Sequence, residues 1–394
     1  MAEKPPSLPD VWEDIPADTA SPKQKTVRVK MVELGPLGEF PQKTVFAVAC
    51  AILGVLLLAV MVVKSRPQKP VVLGSSDRAI AVSSDGSRLL VGLRDGTVRI
   101  VDSSSGKTIS SARLGAPILA VTFASRDTAL VLMDAGQAEP DNDKVFEPQP
   151  TLQIFSADLS AHVRRELQPN AHDIVWSEAS GAAIVLAGGS NDLHASLEFF
   201  PDRPLGIANS TPQLVELPTY TAPQHLAVSA DGSRVAVTFA TSHRANLLIF
   251  DLPARRIVSG IVTPGTPAGV AMNANATAVM VAAADSGAIS KITGKTTETV
   301  RVVADSSTWP TRMVVTDADA MRAYTSGALD VPEANFQDGK IGREAGLLPM
   351  EHHASSSIAL SPDGKTMYVT FEDRNGIGVV DVASMQWLRE IELH

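Results

Sequence analysis

The chain has 394 residues, a formal net charge of −9 and only 5% aromatic residues. That acidic balance argues against nucleic acid as a partner, because nucleic acid demands a basic footprint. One cysteine, Cys50, excludes an internal disulfide, a cysteine zinc site and a covalently attached c-type haem.

Residues 1–42 form a polar, largely irregular arm with seven prolines, too poor in apolar surface to fold alone. Within it Val11, Trp12 and Ile15 stand among acids. They read as a short docking motif that orders on a partner, with Trp12 as its anchor, or as plain linker. Residues 26–34, TVRVKMVEL, alternate apolar and charged, and suit a lone strand or an addition to a partner's sheet.

Residues 43–64 read as one transmembrane helix. Thr44 to Val63 is an uncharged run of twenty residues, bracketed by Lys43 and Lys64, and twenty helical residues cross a bilayer core of about 30 Å. A cleaved signal peptide fits worse: the leader and the apolar run are too long, and no Ala-x-Ala follows. Lys23, Lys25, Arg28, Lys30 and Lys43 on one side face Lys64, Arg66, Lys69 and Arg78 on the other. This small excess favours a cytoplasmic N-terminus and a periplasmic or otherwise extracytoplasmic remainder, as in a bacterial inner-membrane protein. Residues 65–76 are a linker.

From residue 77 to 394 the sequence repeats. In the last copy, Ser357–Ser361 is a short apolar run and Pro362-Asp363-Gly364-Lys365 a turn. Thr366–Phe371 alternates and is rich in β-formers, and Arg374-Asn375-Gly376 is a second turn. Ile377–Val382 and Trp387–Leu393 complete a four-stranded antiparallel meander. Asp363 has equivalents at Asp85, Asp127, Ser180, Asp231, Asn275 and Asp319. Seven units of about 40–50 residues predict an all-β, seven-bladed propeller of four-stranded blades. Each copy is complete, so no strand is borrowed from the N-terminus to close the ring.

These copies resemble the YVTN and WD-repeat β-propeller families. Tyr368-Val369-Thr370-Phe371 departs from the YVTN motif only at its last position, and Asp363-Gly364 and Val379–Val382 also fit. Val98–Asp102 and Leu248–Leu252 match the third strand of such a blade. No Gly-His or Trp-Asp pair ends a blade, so the WD type proper is the poorer match. The resemblance implies a fold and leaves activity open, because it spans enzymes, electron-transfer partners and binding scaffolds.

The turns joining first to second strands are short. Long insertions are expected between second and third strands, at Asp134–Pro150, Gly188–Pro212 and Ser326–Gly339, which makes that face the candidate binding face. The first insertion is acidic. Its Asp141-Asn142-Asp143 lacks the following Gly and terminal Glu of a calcium loop and reads as solvated. On the same face, the first residues of the innermost strands are expected to ring the channel mouth: Arg78, His172, Asp173, His225, Arg312 and His353. Such a ring suits an anionic ligand or acid–base work. No Gly-x-Ser-x-Gly elbow, P-loop or His-Glu-x-x-His occurs. No catalytic residue, metal or cofactor is therefore assigned.

The resulting expectation is a membrane-anchored extracytoplasmic propeller that serves as an interaction or scaffold subunit, its partners other membrane or periplasmic proteins. The alternatives are a YVTN-like enzyme or redox-enzyme subunit, lactonase-like or dehydrogenase heavy-chain-like, and a small-ligand sensor using the central channel.

Overall fold

The computed structural model describes residues 79–134, 150–188, 195–201, 206–218, 223–240, 245–302, 311–327, 331–345, 355–371 and 375–393, with short gaps at 94, 157, 161, 208–209 and 338–339. The arm, the apolar stretch 44–63, the docking residues Val11, Trp12 and Ile15, the acidic loop 135–149, and Arg78 and His353 lie outside these residues.

Among the described residues, twenty-eight strands form seven four-stranded antiparallel sheets, each from one contiguous stretch of chain. Blade 1 holds β1 (Ile80–Val82), β2 (Arg88–Gly92), β3 (Thr97–Asp102) and β4 (Thr108–Arg113). Blade 2 holds β5 (Ile118–Ser125), β6 (Thr128–Asp134), β7 (Pro150–Ser156) and β8 (His162–Glu166). Blade 3 holds β9 (Ala171–Ser177), β10 (Ala182–Ala187), β11 (Ser196–Phe200) and β12 (Gln213–Glu216). Blade 4 holds β13 (Pro223–Val228), β14 (Arg234–Phe239), β15 (Leu247–Asp251) and β16 (Arg256–Ile261). Blade 5 holds β17 (Pro267–Met272), β18 (Val279–Ala283), β19 (Ala288–Thr293) and β20 (Thr296–Arg301). Blade 6 holds β21 (Val314–Thr316), β22 (Arg322–Thr325), β23 (Val331–Asn335) and β24 (Lys340–Ala345). Blade 7 holds β25 (Ser355–Leu360), β26 (Thr366–Phe371), β27 (Gly376–Asp381) and β28 (Gln386–Glu392).

The core lies between blades, as layers each shared by two neighbours. Leu89 and Val91 of β2 pack with Tyr368, Ile377 and Val379 of blade 7, whereas Leu90 of the same strand packs with Val121 and Val131 of blade 2. Successive side chains of a strand point to opposite faces, and here both faces are covered. That is why second strands such as RLLVG, AAIVLA and VMVAA read as unbroken apolar runs rather than the half-buried alternation of a one-sided sheet.

The recurring turn has a compact hydrogen-bond logic. Asp85 Oδ1 accepts from Ser83 Oγ–H (2.7 Å) and the Ser87 N–H (3.0 Å), while Ser83 Oγ accepts the Arg88 N–H (2.9 Å). Gly86 sits at φ 73°, open to a residue without Cβ. Ser229, Asp231 and Arg234 repeat this arrangement, as do Ser361, Asp363 and Thr366. In blade 5, Asn273 and Asn275 substitute for the serine and the acid. The serine two residues before the acid is therefore as much a part of the repeat as the Asp-Gly pair.

Third strands end on a second device. Asp102, Asp251 and Asp381 each accept the N–H three residues on, at 2.7, 2.9 and 2.7 Å. The outer strand that follows then bulges by one residue, at Ile109, Val258 and Leu388. These three are 46%, 43% and 59% exposed. Such a bulge interrupts an open edge and hinders pairing with another chain.

The ring closes between blades 7 and 1 without an exchanged strand, as expected. The Ala79 N–H donates to Ser357 Oγ (3.2 Å), and Arg389 Nη2 donates to the Ser103 and Ser104 carbonyls (2.8 and 2.6 Å).

Two insertions differ from expectation. Strand β11 lies inside Gly188–Pro212, so the connection after β10 is only 188–195 and residues 201–212 link β11 to β12 on the opposite face. Strand β23 likewise lies inside Ser326–Gly339 and confines that connection to 326–330. Short strands within polar stretches, SLEFF and VPEAN, carried too little periodicity to be seen. The acidic insertion of blade 2 does separate its second and third strands, β6 and β7.

Candidate functional site

The innermost strands β1, β5, β9, β13, β17, β21 and β25 follow one another around the axis, each at the edge of its sheet. His172 and Asp173 fall on β9, His225 on β13, and Arg312 just before β21.

Asp173 does not face an open mouth. It is 1% exposed and sits between blades 3 and 4. Its Oδ2 accepts the Leu226 N–H (3.0 Å) and a hydrogen bond from His225 Nδ1 (3.3 Å), and its Oδ1 accepts the Ile174 N–H (2.9 Å). A buried carboxylate is tolerated only with such partners. His172, next along the strand, belongs to a different setting: its Nδ1 donates to the Asn170 carbonyl (2.9 Å), and Gly188 lies beside the ring. With Nδ1 carrying the proton, the buried Nε2 is an acceptor without a hydrogen-bond partner among the described residues. The Arg312 N–H donates to the Ser326 carbonyl (2.9 Å), three blades from Asp173. Among the described residues the structure thus joins Asp173 to His225. Two further members of the expected ring, Arg78 and His353, lie outside the described residues.

The same level of the innermost strands joins blades elsewhere. Ser357 receives Ala79 at the 7–1 junction. At the 6–7 junction, Ser326 Oγ accepts the Met313 N–H (3.2 Å) and donates to the Ser356 carbonyl (3.1 Å). At the 5–6 junction Gly269 leaves room for the Arg312 carbonyl and Met313, which any Cβ there would strike. Bulges near the starts of β5, β13, β17 and β25 re-aim side chains at this level, so polar residues placed here by spacing turn toward the next blade.

The open space lies further along the same strands. A cavity of about 370 Å³ is framed by all seven innermost strands. Each blade contributes to its wall, through Ala81, Thr122, Trp176, Val228, Met272, Thr316 and Leu360 among others, and among the described residues no charged side chain lines it. Trp176 Nε1 donates to Glu178 Oε2 (3.1 Å), which fixes the indole. Sequence reasoning missed these residues, yet a signal existed: Val228, Met272, Thr316 and Leu360 each stand three positions before the turn residue Asp231, Asn275, Asp319 or Asp363.

Two buried groups away from the axis have perturbed acidity. Desolvation raises Glu198 above the usual carboxylate range although the Gln168 N–H (2.9 Å) supports its anion. Desolvation first, then the Glu333 charge, pushes Tyr324 up to about 12. Among the described residues no cluster of His, Cys, Asp and Glu is arranged to hold a metal ion.

The fold defines the class: a seven-bladed, WD40-like β-propeller. A family model described as the anaphase-promoting complex subunit 4 WD40 domain matches residues 67–126. Among solved structures, a functionally unknown protein from Desulfotomaculum acetoxidans superposes with a TM-score of 0.57 at 13% identity, over 77% of this chain and 94% of that one. The Cps50 (Swd1) β-propeller domain of Myceliophteria thermophila gives 0.55 at 14% identity, over 75% and 92%. The dihydro-heme d1 dehydrogenase NirN, in complex with DHE, gives 0.50 at 16% identity, over 79% of this chain and 65% of that one. At these identities the likeness concerns the fold alone, and it spans an enzyme as well as proteins not described as one. No curated protein sequence matches the chain.

Proposed function

We propose that the chain is a membrane-anchored interaction subunit whose propeller faces the extracytoplasmic side. The observation that carries the interaction reading is the position of Asp173. The acid best suited to chemistry is buried between blades and holds Leu226 and His225 in place. The uncharged stretch Thr44–Val63 with its flanking lysines supports the anchor, and the arm around Trp12 supports a second contact on the cytoplasmic side. The partial match to a model named for a subunit of a multiprotein complex accords with this role.

Purification of the tagged full chain from solubilised membranes tests the reading. Stoichiometric co-purifying membrane or periplasmic proteins are expected, and their loss on deleting residues 1–20 would locate the arm contact. A chain recovered alone and monomeric, or found in the soluble fraction, overturns the proposal.

One observation favours an enzymatic reading. A histidine paired through Nδ1 with a buried carboxylate, as His225 is with Asp173, is the arrangement of a general base. Turnover lost in His225→Gln with unchanged thermal stability would support that reading over a structural pair.

A further inference from the structure

We propose that the central cavity binds a small, uncharged and largely apolar molecule, a role separate from the interaction function above and independent of it. The volume of about 370 Å³ falls within the range of small-molecule sites, roughly 300–1,000 Å³. The chemistry of the wall selects the ligand. Aliphatic side chains from all seven blades surround the space, with Trp176 as an aromatic wall held by Glu178. Met272 supplies a side chain that adapts to an irregular shape.

Polar recognition comes from the main chain. Every innermost strand is the edge strand of its sheet, so its axial edge has no neighbouring strand to take its N–H and C=O groups. A ligand with an apolar body and one or two hydroxyl or carbonyl groups satisfies both features, because it covers the side chains and reaches a strand edge. Ions are disfavoured, because among the described residues no charged side chain lines the cavity to offset the loss of their hydration.

The test uses the full chain, kept soluble in an amphipol, and three probes of one length: 8-bromo-1-octanol, 8-bromooctanoate and 8-bromo-octylammonium. Bromine quenches an indole on contact, and among the described residues Trp176 is the only tryptophan lining the cavity. Saturable quenching by the alcohol is expected, with at least tenfold weaker quenching by both ions at pH 7. Trp176→Phe should abolish the saturable component while calorimetry still records alcohol binding. Ala359→Leu, which narrows the cavity, should weaken binding at least tenfold, and Ala81→Leu repeats that test from another blade should the first variant not fold. Quenching that persists in Trp176→Phe, equal binding of all three probes, or no saturable binding overturns the proposal. Because the measurement uses the isolated chain, failure to find protein partners would leave its outcome untouched.

Discussion

The Asp173 carboxylate and the Leu226 amide, 3.0 Å apart, tie blade 3 to blade 4 across the innermost strands. This bond gives the buried acid of strand β9 a partner on the next blade. Asp173→Ala removes the acceptor and leaves the buried Leu226 N–H without its acceptor. The expected loss is about 1–3 kcal/mol, read as a lower midpoint in urea unfolding. Asp173→Asn keeps one acceptor oxygen and should lose less. If Asp173→Ala unfolds like the parent protein, the residue is not a clamp.

In blade 7 the indole of Trp387 lies against Gly378 on the adjacent strand and 5.8 Å, centroid to centroid, from the ring of Phe371. A Cβ at residue 378 would enter the space of the six-membered ring. Gly378→Ala should therefore displace the indole and cost about 1–3 kcal/mol, the usual penalty of overpacking. A double mutant with Trp387→Leu should recover much of that loss, because the two changes act on one contact. Additive losses in the double-mutant cycle would rule out this coupling.

The turn acids set a pH dependence. Ser83 and then the Ser87 amide lower Asp85 from its ordinary 3.8 to about 2, and the Ser105 amide and Ser104 lower Asp102 to about 2. Asp231 and Asp363 shift in the same direction through Ser229 and Ser361. A carboxyl group with a depressed folded pKa contributes stability that is present above its unfolded value and is lost as pH falls through the folded one. Stability should hold near pH 5 and fall between about pH 4 and pH 2. NMR titration should show the Asp85 pKa rising in Ser83→Ala, and an unchanged value would contradict this origin.

The turns were legible in the sequence because their chemistry is local: Asp85, Gly86 and the serines around them determine the turn within five residues. The second strand Thr366–Phe371 was legible from its β-formers but read as alternating, whereas both its faces are buried between blades. The site was not legible, because the direction of a side chain such as Asp173 or His225 depends on bulges near the starts of the innermost strands, and nothing local marks those. Trp176 and Leu360 were overlooked on other grounds. An apolar residue before a polar turn looks like core until the ring is closed and its axis is seen to be open.

Closure itself rests on few polar contacts. Since no strand is shared between the first and last blades, Arg389 and its two carbonyl partners at Ser103 and Ser104 supplement the apolar layer of Ile80, Leu89, Tyr368 and Ile391. Charge-assisted bonds of this kind contribute about 1.5–3 kcal/mol when well shielded and less at a partly exposed site. Arg389→Ala should therefore lower stability by roughly 1 kcal/mol. Its sharper signature should be local, with faster amide exchange in β28 and β1 than in blades 3 to 5, because the seam opens at a smaller free energy than the whole ring. Uniform acceleration of exchange around all seven blades would mean that the ring unfolds as one unit and that the 7–1 junction is no weaker than the others.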